Sequence, residues 1–113
     1  MIINDFLYRK LAEWDKMSRK GFGHYILKKG VHGIAKELKN DEQIKELCES
    51  ITNKKKNGEQ IILEMAGPNT DITNIILDAI SEVCGCDSLR GSFIEIVVRE
   101  TIVRYFFRFL RPP

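Results

Sequence analysis

Three cysteines, two histidines and five serines are the residues of this 113-residue chain that could do covalent or metal chemistry. Cys84-Gly85-Cys86 sets two thiols one residue apart. A zinc site needs four ligands in a tetrahedral array, normally from cysteine pairs spaced more widely than this. Cys48 falls on an apolar helical stripe, and His24 and His32 are not paired at ligand spacing. No metal site is assigned. Cys84 follows Val83 at a helix end and reads as a small buried hydrophobe, with Cys86 exposed beyond it. An odd cysteine count argues against a disulfide framework, which places the chain in a reducing interior, the cytoplasm. His24 and His32 have the side chain for general-base work, but nothing in the sequence sets a partner beside either. The serines lack an elbow motif. Gly21-Phe22-Gly23 lacks the third glycine of a phosphate-cradling loop and follows a helix rather than a strand. The expectation is a non-enzymatic protein with no catalytic residues, no cofactor and no metal.

Charge is more informative. The net value is only +2, but it is unevenly spread. Residues 1–56 carry thirteen Lys/Arg against eight Asp/Glu, residues 57–88 carry six acids and no cation, and the remainder carries five arginines against two glutamates. From Lys16 to Lys36 there are six cations and no acid, and Lys54-Lys55-Lys56 forms a second cluster. Such clustering is an electrostatic footprint for an anionic partner, unless folding sets the cations against the acidic middle.

Lys20-Gly21-Phe22-Gly23-His24-Tyr25-Ile26-Leu27 resembles the first half of the RNA-recognition-motif octapeptide, in which a cation meets phosphate and aromatics stack on bases. His24 and Tyr25 depart from that pattern. The family also needs a strand, a helix and a strand before the octapeptide, and only nineteen residues precede it here. The resemblance therefore assigns no family, though Phe22 and Tyr25 among Lys20, Lys28 and Lys29 keep the local chemistry. Ile34 to Leu38, a tight turn and a second helix are similar to the start of a helix-turn-helix. Here Lys39 replaces the turn glycine, and Glu42, Glu46 and Glu49 would repel phosphates.

These residues need elements to hold them. Phe6, Leu7, Leu11, Trp14 and Met17 recur at helical spacing over 3–19. His24–Leu27 reads as a short strand, 31–38 as a short helix, and Asn40 as the cap of a further helix with Ile44, Leu47, Cys48 and Ile51 inward. Residues 60–66 read as a strand. Ile72, Ile75, Ile76, Ala79, Ile80 and Val83 make the cleanest helix, capped by Thr70 or Asp71 and closed by Gly85. The C-terminal stretch holds four of the six phenylalanines. Phe93–Val98 reads as a strand, and Val103, Tyr105, Phe107 and Phe109 alternate with Arg104 and Arg108. Ile94, Val97, Val98, Ile102, Tyr105, Phe106 and Phe109 also fit a helical stripe, and β propensity favours the strand.

The fold expected is therefore α+β, a single domain over 1–113: a small sheet with a helical hairpin and one strongly amphipathic helix packed on it, and an aromatic-rich C-terminal strand region. Its open aromatic edge calls for a homodimer or another protein partner. The arginines and glutamates in the C-terminal run exclude a membrane span. The leading function is nucleic-acid binding, DNA slightly preferred, as a regulatory or accessory protein, with Lys20, Lys28, Lys29, Lys54, Lys55, Lys56, Arg104 and Arg108 on phosphates. The alternative is a protein-interaction module, an adaptor or a small inhibitor of a larger enzyme, anchored by Tyr105, Phe107 and Arg108.

Overall fold

The computed structural model describes residues 2–56 and 70–108, the side chains of 54–56 and 70 excepted. Five helices account for it: α1 (Ile2–Lys16), α2 (Phe22–Lys39), α3 (Ile44–Lys56), α4 (Thr70–Cys84) and α5 (Phe93–Phe106). The helical stripes of the sequence become the core. Ile3, Phe6, Leu7, Leu11 and Trp14 of α1 are buried, as are Leu47 and Ile51 of α3 and Ile76, Leu77, Ala79 and Ile80 of α4. α2 packs most extensively on α4, and α1 lies against α5, α2 and α3. Gly30 breaks α2 into two arms, with φ +71° inside an otherwise helical run. Only glycine takes that backbone without a steric penalty, and it sets the kink between the two arms.

The α+β expectation is overturned, because no strand occurs among the described residues. His24–Leu27 lies in the first arm of α2, where Tyr25 and Ile26 are buried. The C-terminal strand region is α5. Val97 and Val98 are adjacent and both buried, which a strand cannot achieve against one layer because neighbouring side chains point to opposite faces. A helical stripe does achieve it, and Ile94, Thr101, Ile102 and Tyr105 complete it. The magnitudes favour this outcome. A β-branched residue costs a helix at most about 0.7 kcal/mol, while burying an aliphatic side chain contributes about 1.5–3 kcal/mol. A reciprocal cap fixes where α5 begins: the Ser92 hydroxyl accepts from the Ile94 N–H (3.2 Å), and Glu95 accepts from the Gly91 N–H (3.1 Å). The strand expected at 60–66 lies outside the described residues. Without a sheet among the described residues, the open edge that motivated a homodimer is gone.

Cysteine usage also needs correction. Cys48 of α3 and Cys84 at the end of α4 form a disulfide, leaving Cys86 as the free thiol. Parity of the cysteine count says nothing about whether two helical stripes meet. The bond removes the ground on which a reducing compartment was inferred. Among the described residues, no helix is long and apolar enough to cross a membrane, and no cluster of three or more His, Cys, Asp or Glu could hold a metal ion.

Candidate nucleic-acid interface

The C-terminal end of α5 is held by one carboxylate. Asp15, near the end of α1, accepts from the Phe22 backbone N–H (3.0 Å), the Tyr105 hydroxyl (2.9 Å) and the Arg108 guanidinium (3.0 Å). Three helices thus converge on a single side chain. Arg108 also donates to the Tyr105 carbonyl (2.7 Å) and lies 3.9 Å above the Tyr105 ring. Burial, then the Asp15 contact, raises the Tyr105 hydroxyl above its ordinary titration range.

Beside this knot opens an apolar groove of about 560 Å³, lined by Ile72, Ile102, Val103, Phe106 and Phe107, with Lys20 and Arg108 at its polar margin. Phe106 is 64 % exposed and Phe107 48 %. Their rings meet edge to face at 5.4 Å. Arg108 also borders a second hollow of about 320 Å³, shared with Arg104, Tyr8, Asn4 and Asp5. On the other side of Lys20, its backbone N–H donates to the Ser18 hydroxyl, and Ser18 lines a third hollow with Met17, His24, Lys28 and Lys29. A track therefore runs from Lys28 and Lys29, past Ser18 and Lys20, to Arg108 and Arg104. Among the described residues, Lys20, Lys28 and Arg104 face no carboxylate within ion-pair distance. Lys29 lies 5.5 Å over the Tyr25 ring. Two acids of α4 are directed elsewhere, Asp78 to Arg90 (2.6 Å) and Glu82 to His32 (2.6 Å).

A second carboxylate, Asp41, shows a different use of charge. Arg9 binds it through both guanidinium nitrogens at 2.9 Å, and Lys10 approaches to 3.3 Å. Asp41 and Lys10 side chains are 7 % and 8 % exposed. The Arg9 hydrogen bond, working against burial, holds the Asp41 carboxyl well below the usual range and raises Arg9 in return. Asp41 also accepts from the Gln43 N–H (2.9 Å), so it, and not Asn40, opens the turn into α3. This network fastens α1 to α3 and is closed on itself.

The predicted contact residues divide accordingly. Lys20, Lys28, Lys29, Arg104 and Arg108 lie along the track. Lys54, Lys55 and Lys56 form the last turn of α3, and their side chains lie outside the described residues. Of the proposed protein-contact anchors, Phe107 is exposed, Arg108 is half-buried on Asp15, and Tyr105 is 4 % exposed within the core. The reading of the residues missed Asp15 and Phe106. Phe106, which the helical stripe had included, sits one position outside the buried face of α5. Nothing local marks Asp15. No family model, curated protein or solved structure matches this chain.

Proposed function

We propose that this chain is a small non-enzymatic nucleic-acid-binding protein that holds phosphates along the track from Lys28 and Lys29 to Arg104. One observation carries the reading: Lys20, Lys28 and Arg104 are exposed and lack carboxylate partners among the described residues. A cation already neutralised within the molecule releases no counterions from a polyanion, whereas an unneutralised one does. The slight preference for DNA leaned on a strand following a helical hairpin, and that strand, 60–66, lies outside the described residues. The exposed ring pair Phe106–Phe107, in the groove between Lys20 and Arg108, favours single strands, whose unstacked bases pack on aromatic faces.

Fluorescence anisotropy with a labelled single-stranded oligonucleotide and its duplex tests this. Affinity should fall with salt at a logarithmic slope of about −0.7 for each phosphate contact, about −3 for four. The single strand should bind more tightly. Absence of binding at low salt defeats the proposal.

The apolar groove supports a second reading, a protein-interaction module. Its lining is predominantly aliphatic and aromatic, and exposed aromatics anchor many interfaces. Under that reading Phe107→Ala abolishes partner binding and leaves oligonucleotide affinity, if any, insensitive to Lys28 and Lys29.

A further inference from the structure

We propose that Cys48, Cys84 and Cys86 form a thiol–disulfide exchange site, in which Cys86 takes Cys84 from Cys48 and so releases α3 from α4. Cys48 and Cys84 are joined across a Cα–Cα distance of 5.1 Å at a sequence separation of 36. Cys86 is free, half-buried and packed, like Cys84, against the margin of the core. The backbone brings the two together. Gly85 has φ +63°, and the Cys86 N–H donates to the Ser81 carbonyl at 3.1 Å, folding the chain back over the end of α4. A residue with a side chain would be strained at that φ. Two peptide units span at most about 7 Å between Cα atoms, close to the upper end of the 4.4–6.8 Å that disulfides require. Cys86 therefore stays within bridging reach of Cys84 through the backbone alone.

The step balances without an external oxidant or reductant. The Cys86 thiol loses its proton, and the thiolate attacks the Cys84 Sγ in line with the existing bond. The Cys84–Cys86 bond forms, the Cys48–Cys84 bond breaks, and Cys48 leaves as a thiolate that takes up a proton. One disulfide and one thiol are present before and after. The consequence is mechanical. α3 and α4 touch sparingly apart from this bond, whereas Asp41 continues to hold the start of α3 on α1. Exchange thus removes the covalent tie from the middle of α3 to the end of α4, while Asp41 and the buried Leu47 and Ile51 keep α3 seated.

Peptide mapping of the full chain under non-reducing conditions tests the site. The protein is held at mildly alkaline pH for increasing times, quenched with N-ethylmaleimide and digested. The wild type begins with label on Cys86. With time, label should accumulate on Cys48 while a Cys84–Cys86 peptide two mass units lighter than its dithiol appears. A thiol tethered this closely acts at millimolar effective concentration or above, so at micromolar protein Cys86→Ser should slow Cys48 labelling at least about a hundredfold. Cys48→Ser with oxidised glutathione supplies an independent measurement, because the remaining two thiols should then close on each other. The proposal is overturned if wild-type label stays on Cys86 alone, if all three thiols are labelled at once, or if Cys48→Ser keeps two free thiols.

Discussion

Asp41 and Asp15 do similar jobs in different surroundings. Each is a carboxylate that joins α1 to another part of the chain through an arginine. Asp41 is enclosed, with its oxygens filled by Arg9, Lys10 and the Gln43 N–H. Asp15 stands at the lip of a groove, 25 % exposed, and shares Arg108 with two hollows. A buried ion pair is costly to break because its survivor is left desolvated, while a half-exposed one can turn to water. The first therefore serves the fold. The second sets how much positive charge the groove presents, because it neutralises one of the cations there.

The comparison breaks most visibly at Asp41. Asp41→Ala should destabilise the protein by about 3 kcal/mol, by removing the buried one of the two anions that Lys10 and Arg9 share, the other being the exposed Glu13. Urea unfolding with the disulfide intact reads this, and oligonucleotide affinity should not change. The same carboxylate gives a pH signature. Its folded-state pKa is depressed by Arg9, so its contribution is complete above the unfolded value of about 3.9 and is lost as pH falls below it. Between pH 4 and the acid limit, the wild type should lose up to about 1.4 kcal/mol more per pH unit than Asp41→Asn. Parallel curves for the two proteins would show that the network does not hold the anionic form.

Asp15 comes next. Asp15→Asn removes the charge facing Tyr105 and Arg108 but keeps an acceptor for the Phe22 N–H, so the loss should be about 1–2 kcal/mol. Here stability and binding part company. The released Arg108 should tighten oligonucleotide binding at low salt and steepen the salt slope by about 0.7. An Asp15→Asn protein that binds more weakly would mean that Asp15 positions Arg108 rather than neutralises it.

Tyr25 offers a contrast of smaller size. Burial, together with its hydrogen bond to Glu37, pushes its hydroxyl up to about 12. The folded state thus holds that proton more tightly than the unfolded chain does. The resulting stability is complete below about pH 10 and is lost as pH rises through about 12. Tyr25→Phe should cost about 1 kcal/mol at neutral pH. It should also remove one late-titrating tyrosine from the ultraviolet absorbance titration.

What could be read from the sequence depended on whether an element's reason for existing was local. α4 was legible because six apolar residues repeat at helical spacing before a glycine, and the structure packs that stripe on the core, although the expected caps Thr70 and Asp71 lie inside the helix. α5 carried a visible helical stripe, but its β-branched composition favoured a strand, and the burial of both adjacent valines shows only in the structure. Ser92-Phe93-Ile94-Glu95 is itself a capping-box signature, and it fixes the start of the helix that propensity argued against. Lys20, Lys28 and Lys29 of the track were legible as part of a block without acids. Their neighbours were not. Asp15 meets Arg108 across 93 residues of sequence, and the Cys48–Cys84 bond spans 36. Neither pairing has a local periodicity to announce it.

The smallest effect on stability should come from the track itself, which makes it the sharpest way to separate fold from binding. Lys28 and Lys29 are exposed on the first arm of α2, and neither forms an ion pair among the described residues. Replacing both with glutamate should therefore move the urea midpoint by no more than about 0.5 kcal/mol. Lys29 contributes its contact over the Tyr25 ring, so any residual loss should belong to it and be absent from the Lys28→Glu single variant. Binding should respond in the opposite proportion. Two phosphate contacts disappear, the logarithmic salt slope should become shallower by about 1.4, and the new carboxylates should repel the backbone as well. If the double variant binds as the wild type does, the Lys28–Lys29 end of the track takes no part in polyanion binding, and the apolar groove beside Phe106 and Phe107 becomes the surface to pursue.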